Sequence, residues 1–217
     1  VVESLAALHK LSLIAIGPSV ASLDVSLLKA LECLELDRNE LVKLPHGVEQ
    51  VHGLDTLSLK ENALTALPAA LQTLTARTSL HLAQNQLRSV PDVVAELPAL
   101  EYLDLGHNPL SALSTRLCSS RSLRHLVLTR TKELKSLPKE IGNLTSLEQL
   151  DLRYSGITSL PDELGALTSL EFLSLEDLPL KELPAPVRGG SLTRLARRLT
   201  CSNFATSPFT VTPRSSH

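Results

Sequence analysis

One fifteen-residue pattern recurs along most of the chain. Residues 31–45 read LECLELDRNELVKLP, or L-x-x-L-x-L-x-x-N-x-L-x-x-L-P, and closely similar segments begin at Leu54, Leu100, Leu147 and Leu170. Self-similarity at a fixed period is the signature of a repeat architecture, in which each unit buries its apolar face against the next unit. The pattern therefore predicts a stack of similar turns.

The repeats keep a nearly constant length. They begin at positions 31, 54, 77, 100, 123, 147 and 170, so every spacing is 23 residues except one of 24. We expect the extra residue, within residues 129–134, to form a local bulge. A degenerate repeat begins at Leu8, and Val2 and Leu5 match the closing half of a repeat, so we expect further sequence before residue 1.

Each repeat contains an alternation that predicts a β-strand. In the L-x-L portion, as at Leu34 and Leu36, every second side chain is apolar, which puts the leucines on a buried face and the residues between them on the opposite face. Most repeats then reach a proline, which cannot donate to a strand ladder, so the strand must end before it. These prolines are Pro45, Pro68, Pro91, Pro138, Pro161 and Pro184.

On these residues the repeat resembles the leucine-rich repeat family, specifically its short 23-residue class with an L-x-x-L-P second half, over about residues 2–187. The resemblance implies an α/β solenoid: an arc with a parallel sheet on its concave wall and irregular or short-helical backbone on its convex wall. It also implies an inward-pointing ladder of asparagines that bond backbone groups of their own and adjacent turns. The ladder consists of Asn39, Asn62, Asn85 and Asn108.

The asparagine position changes in the later repeats. Thr131 and Ser155 replace asparagine and are expected to do part of its work, whereas Leu178 cannot. Leaving a buried backbone group unpaired costs about 1–3 kcal/mol. We therefore expect the last turn to be looser or covered.

Composition and charge exclude several functional classes. Aromatic residues make up only 2% of the chain against 43% apolar residues, so the interior must consist of small and branched aliphatic side chains. The net charge is −2, but five of the 21 basic residues lie from Arg188 onward, which leaves 16 basic against 23 acidic residues, or −7, before it. A net acidic repeat body argues against nucleic acid as a partner.

Cysteine spacing and hydropathy predict the compartment. Cys33, Cys118 and Cys201 share no close spacing, which indicates neither a zinc site nor a disulfide framework and favours a reduced compartment. No apolar run approaches the roughly 20 residues that span a bilayer. Residues 11–22 loosely imitate a signal peptide, but the repeat register accounts for them. We therefore expect a cytoplasmic protein without a membrane span.

The sequence divides into three regions. We expect a solenoid over residues 1–187, with about seven full repeats after the degenerate one, a C-terminal capping helix over residues 188–199, and a disordered tail over residues 200–217. Leu192, Leu195 and Leu199 recur at helical spacing, which suits a helix that shields the last repeat. The alternative is a basic amphipathic helix for a partner or an anionic membrane.

The outward strand residues are the best candidates in the sequence for a functional site. Both tyrosines and one phenylalanine fall among them, in a chain with five aromatic residues. Aromatic residues and arginine are enriched in binding hot spots, although strands also favour aromatics for structural reasons. We expect a partner protein to bind a concave-face set that comprises Tyr102, Asp104, His107, His125, Arg130, Gln149, Arg153, Tyr154 and Phe172.

Catalysis and metal binding have weaker support. His81, His107 and His125 lie on nearby strands, but no carboxylate or cysteine completes a ligand set at suitable spacing. An open concave sheet also lacks the pocket and oxyanion donors that hydrolysis needs. We expect no enzymatic activity, no metal and no cofactor.

The functional prediction is an intracellular protein-recognition scaffold, monomeric, which binds a partner protein on its concave face. The L-x-x-L-P form is similar to that of intracellular scaffold and Ras-pathway-type members of the family. The alternative is the substrate-recognition part of a larger enzyme such as a ubiquitin ligase effector, a GTPase or an immune-receptor ATPase.

Overall fold

In the part of the chain that the structure describes, eight short strands form one parallel sheet whose strand order follows the sequence. The structure, a computed structural model, describes residues 6–76, 78–183 and 185. Arg77, the expected capping helix and the expected tail lie outside the described residues. The strands are β1 (Lys10–Ser12), β2 (Cys33–Glu35), β3 (Thr56–Ser58), β4 (Thr78–His81), β5 (Leu100–Asp104), β6 (His125–Val127), β7 (Gln149–Asp151) and β8 (Phe172–Ser174).

The register follows the repeat in the sequence. The central leucine of each strand pairs with the central leucine of the next, so Leu34, Leu57, Leu80 and Leu103 are consecutive neighbours. The same pairing continues through β8, with a single irregularity where Thr78 and Ser79 meet β5. The predicted parallel solenoid is therefore confirmed.

The strands bury one face completely. Leu34, Leu57, Leu103 and Leu150 have no exposed surface, and neither has Leu36 two residues after Leu34. Because successive strand side chains point to opposite faces, the residues between these leucines are held on the concave wall. The core is thus a continuous aliphatic column one turn wide.

Short helices line the opposite, convex wall. Of those whose bounds lie within the described residues, six are 3₁₀-helices and one, α1 (Asp92–Glu96), is α-helical. Four follow a proline directly, at Pro68, Pro91, Pro138 and Pro161, whose fixed φ suits a turn into a helix. The 3₁₀-helices are η1 (Pro18–Ser22), η2 (Val48–Gln50), η3 (Ala69–Thr73), η4 (Leu117–Ser119), η5 (Lys139–Asn143) and η6 (Asp162–Ala166).

The 24-residue repeat absorbs its extra residue directly after the turn that follows β6. Leu126 pairs with Leu150 at a separation of 24, whereas the Lys135 carbonyl accepts a hydrogen bond from the Thr158 amide at a separation of 23. The extra residue therefore lies between these points. The bulge leaves little room in the next turn, because a Cβ at Gly156 would lie 2.0 Å from the Lys132 carbonyl oxygen.

A ladder of buried asparagines ties the early turns together. Asn85 accepts a hydrogen bond from the Leu64 amide (3.0 Å) and donates to the carbonyls of Leu59 (2.9 Å) and Leu82 (3.0 Å). Asn39, Asn62 and Asn108 make the same kind of contact with their own turn and the preceding one. Each of these asparagines therefore pairs backbone groups that the strand geometry leaves open.

The ladder weakens after Asn108. The Thr131 hydroxyl donates to the Leu128 carbonyl within its own turn (2.8 Å), and the buried Ser155 hydroxyl has no hydrogen-bond partner among the described residues. Both side chains are too short to reach a neighbouring turn as asparagine does. Ser155 therefore does none of the bonding that the sequence led us to expect of it.

The first turn is less well packed than those that follow. Leu8, Leu11 and Leu13 are only half-buried, although Leu31, Leu34 and Leu36 at the equivalent positions are fully buried. The structure describes one neighbour for this turn, the turn that contains β2, whereas the turns of β2 to β7 each have two described neighbours. No helix among the described residues is long and apolar enough to cross a membrane.

The layered core predicts position-dependent losses of stability. Leu103→Ala should lower the free energy of unfolding by about 2–5 kcal/mol, because it opens a cavity between two layers. Leu11→Ala removes the same atoms from the half-buried first turn, so its loss should be clearly smaller. Urea denaturation followed by circular dichroism measures both. Equal losses would show that the leucines do not pack in layers.

The asparagine ladder predicts a second contrast. Asn85→Ala should destabilise the protein by about 1–3 kcal/mol, because the buried Leu64 amide loses its acceptor. Ser155→Ala should be neutral or slightly stabilising, because its buried hydroxyl has no partner to lose. The same denaturation experiment compares the free energies of unfolding of the two variants. A clear loss of stability in Ser155→Ala would show that the Ser155 hydroxyl has a hydrogen-bond partner.

Candidate binding face

The nine predicted binding residues fall mainly into two rows on the concave wall. Tyr102, His125, Gln149 and Phe172 occupy the same register position on β5 to β8 and pair in that order. We call these four residues the strand row. His107, Arg130 and Tyr154 form a second row, the rim row, where the chain leaves the strands. Asp104 and Arg153 lie between the two rows.

Aromatic contacts join the strand row to β4. The ring centroids of Tyr102 and His125 are 6.0 Å apart, and those of His81 and Tyr102 are 4.7 Å apart. His81 was expected on this wall but not in the binding set. The repeat pattern could have placed His81 near Tyr102, because His81 pairs in register with Asp104, which lies two residues after Tyr102.

Burial shifts the acidity of two of these rings. Burial raises the pKa of the Tyr102 hydroxyl, and the negative charges of Asp104 and Asp151 raise it further. Burial also lowers the pKa of His81, with a further lowering by Lys60 that Asp104 partly opposes. His81 is therefore neutral at pH 7. Its Nδ1 atom is buried and has no hydrogen-bond partner among the described residues.

The rim row owes its exposure to an unusual backbone. His107, Arg130 and Tyr154 all have positive φ, between 56° and 58°, a conformation that turns the chain sharply just before the asparagine-ladder position. All three side chains are exposed. The Arg130 guanidinium carbon lies over the Tyr154 ring, 4.8 Å from its centroid, which is a cation–π contact.

Asp104 and Arg153 make contacts within the protein. Asp104 accepts a hydrogen bond from the Gly106 amide at 3.0 Å and so holds the turn after β5. Arg153 donates to both carboxylate oxygens of Asp151, with its Nη2 atom 2.7 Å from Oδ2, and this contact raises the pKa of Arg153. Both residues lie on the predicted face, but their main polar groups are already engaged.

Ion pairs between neighbouring turns occupy much of the remaining wall. Lys10 pairs with Glu35 at 2.7 Å, and Arg38 pairs with Glu61 at 2.9 Å. Arg124 bridges Glu101 and Glu148, which lie on the turns either side of it. These contacts satisfy charges within the protein and leave fewer groups free for a ligand.

The strand row differs from these paired positions. Among the residues that the structure describes, the Tyr102 hydroxyl, the His125 ring nitrogens and the Gln149 amide make no hydrogen bond with another protein group. Their side chains are half-buried. The row therefore presents half-buried side chains whose polar atoms are not engaged by other described side chains.

The three histidines on nearby strands are not grouped as metal ligands. Tyr102 contacts both His81 and His125, and His107 lies on the rim. Within residues 6–76, 78–183 and 185, no group of three or more His, Cys, Asp or Glu side chains is arranged to hold a metal ion. The face consists instead of separate aromatic and polar groups on a rigid sheet.

Comparison with known families identifies the repeat. A family described as leucine rich repeat matches residues 29–87 and 78–132, and one described as leucine-rich repeat region matches residues 107–208. Together these matches cover most of the chain. No curated protein sequence matches it significantly.

Two solved structures with the same architecture share about a quarter to a third of their residues with this chain. A leucine-rich repeat protein of Leptospira interrogans is 32% identical, with a TM-score of 0.77 over 88% of this chain and 54% of its own length. The leucine-rich repeat domain of the type III effector XopL is 27% identical, with a TM-score of 0.71 over 89% of this chain and 68% of that one. This chain therefore spans about half the length of the Leptospira protein.

A plant structure shows a related repeat with a bound molecule. The plant peptide hormone receptor RGFR1, solved in complex with RGF2, is 26% identical, with a TM-score of 0.66 over 86% of this chain and 31% of the receptor. The same repeat architecture thus occurs in bacterial and plant proteins of different overall length.

The environment of His81 predicts its titration. By NMR, the His81 imidazole should titrate below the ordinary value of 6.5, because burial and Lys60 both disfavour its charged form. Since the unfolded chain then binds the proton more readily than the folded one, His81 should reduce stability as the pH falls below about 6.5. Lys60→Gln should move the titration upward.

Lys29→Gln, at an exposed position elsewhere, provides the control for the loss of a positive charge. A His81 titration at or above 6.5 in the unsubstituted protein would contradict the proposed environment.

Proposed function

Because the chain belongs to the leucine-rich repeat family, whose fold generally mediates protein–protein interaction, we propose that it binds a partner protein on its concave face. The proposed face lies on turns five to eight, which are the turns that contain β5 to β8. The strand row forms the centre of this face and the rim row forms its edge. Members of the family are typically non-catalytic interaction modules, and we propose that this chain likewise carries out no reaction itself.

The unused polar groups of the strand row are the main support for this proposal. Tyr102 and His125 are in ring contact, half-buried and without a protein hydrogen-bond partner among the described residues. Tyrosine supplies a large apolar area and one polar group at a small cost in conformational entropy, which is why it is common in binding hot spots. A partner that covers this row would gain both kinds of contact.

The rigidity of the wall also favours binding. The strand backbones are fixed by the ladder and by the buried leucines beneath them, so the side chains above need little ordering when a partner arrives. A preorganised surface loses less entropy on association.

The comparisons are consistent with this use of the fold. RGFR1 was solved in complex with RGF2, so one structural neighbour holds another molecule. We propose a protein partner for this chain by analogy and leave its identity to experiment. We also propose that the protein is a monomer. We propose a cytoplasmic location as well, which the free, half-buried thiol of Cys33 supports.

A second candidate is that this chain selects substrates for a larger enzyme, such as a ubiquitin ligase effector, a GTPase or an immune-receptor ATPase. Its support is the likeness to a repeat domain that belongs to a type III effector. The natural gene distinguishes the candidates, since a catalytic domain in the same open reading frame would favour this one.

The concave-face proposal predicts the effect of removing its two tyrosines. Replacing both Tyr102 and Tyr154 by alanine should leave the fold intact and weaken partner binding by at least about tenfold, because two hot-spot side chains are lost. Partners are first identified by affinity purification from the native source with mass spectrometry. Binding is then measured by isothermal titration calorimetry.

A matched double variant on the convex wall, Gln72→Ala with Lys139→Ala, controls for surface substitution in general. Both residues are exposed and lie on η3 and η5. Equal affinity for the concave double variant and the unsubstituted protein would exclude the proposed face, whereas a loss in the convex variant alone would place the site on the other wall.

A further inference from the structure

Arg130 differs from the other arginines of the concave wall. Arg38, Arg124 and Arg153 each pair with a carboxylate on their own or a neighbouring turn. Among the described residues, Arg130 has no acidic side chain within ion-pair distance. It is therefore an exposed positive charge without an ion-pair partner among the described residues.

The contact with Tyr154 orients Arg130 without using its hydrogen-bond donors. The guanidinium carbon lies over the Tyr154 ring, 4.8 Å from its centroid. This cation–π contact involves the charge of the guanidinium and none of its five N–H donors. The contact therefore positions the side chain while its donors remain open to a ligand.

We propose that Arg130 binds a carboxylate of the partner, and that this carboxylate lies within a few residues of an apolar or aromatic side chain that packs on Tyr102 and His125. The inference rests on the proposed function and names the chemistry of its ligand. A guanidinium matches a carboxylate in shape and forms two parallel hydrogen bonds with it. Of the other rim positions, His107 on the preceding turn carries no negative charge, and the acidic Asp177 lies two turns beyond Arg130, after Tyr154.

The spacing of the two rows limits the length of the bound segment. Arg130 follows His125 by five residues, a distance of at most roughly 17 Å in extended chain. A partner segment of about five extended residues is long enough to reach from one row to the other. The carboxylate is either an Asp or Glu side chain within such a segment or a free C-terminus.

The repeat itself supplies safe substitutions at this position. Gln84 and Glu61 occupy the same place in earlier turns, with φ of 57° and 54° against 56° for Arg130. Arg130→Gln and Arg130→Glu therefore place residues that this chain already accommodates in the same backbone conformation. Arg88→Glu, at an exposed position off the strands, is the control for the change in net charge.

The test selects ligands from random peptide libraries on the full 217-residue chain. Two display libraries are used, one with free peptide C-termini and one with peptides fused at both ends. Selections are run on the unsubstituted protein, on each Arg130 variant, on Arg88→Glu, and on Tyr102→Ala with His125→Ala. Affinities of recovered peptides are then measured by fluorescence anisotropy.

We expect the unsubstituted protein and Arg88→Glu to recover peptides with a carboxylate near an apolar or aromatic residue. Arg130→Gln should bind these peptides at least about tenfold more weakly, and Arg130→Glu should recover basic peptides instead. Enrichment only in the library with free C-termini identifies a terminal carboxylate, and enrichment of Asp or Glu in both libraries identifies a side chain.

Recovery of the same peptides by Arg130→Glu and by the unsubstituted protein would overturn the carboxylate assignment. If the Tyr102→Ala, His125→Ala double variant nevertheless failed to recover those peptides, the proposed binding on the concave face would stand and only the carboxylate assignment would fail. If no concave variant altered the selected peptides, both proposals would fail together.

Discussion

The stacking of equivalent leucines in successive turns is the interaction on which the rest of the structure depends. Leu34, Leu57, Leu80 and Leu103 are fixed one above the next by strand pairing, and their exposed fractions are at most 1%. A column of this kind needs the same aliphatic side chain at the same place in every turn. It therefore explains both the low aromatic content of the chain and the even spacing of the repeats.

The column also determines which polar groups are available for binding. Once the leucines face inward, the residues between them must face outward, and the sheet brings equivalent residues into rows. Asn62 and Asn85 serve the backbone, while Lys10 and Glu35 neutralise each other. Turns five to eight differ because Tyr102, His125 and Gln149 keep their polar groups free, and because Arg130 lies on an aromatic ring instead of on a carboxylate.

The sequence predicted the architecture well because the leucine period carries both strand position and register. It also predicted which residues face outward, since strand alternation leaves little choice. It did not predict the contact of His81 with Tyr102 or the ion pair between Asp151 and Arg153, because these depend on rotamers and on diagonal neighbours.

The repeat pattern also did not predict that a short side chain at an asparagine position leaves the hydrogen-bond ladder incomplete. Ser155 occupies an asparagine position, but its hydroxyl reaches no partner among the described residues. Pairing with the neighbouring turn depends on the length of the side chain, and spacing alone does not report it.

Methyl NMR of leucine-labelled protein tests the layered arrangement most directly. The account predicts nuclear Overhauser effects from the Leu103 methyl groups to those of Leu80 and Leu126, the neighbours of Leu103 in the sheet, together with contacts between the rings of Tyr102 and His125. Absence of the Leu80 to Leu103 and Leu103 to Leu126 effects would contradict it, because the outward face exists only if these leucines stack.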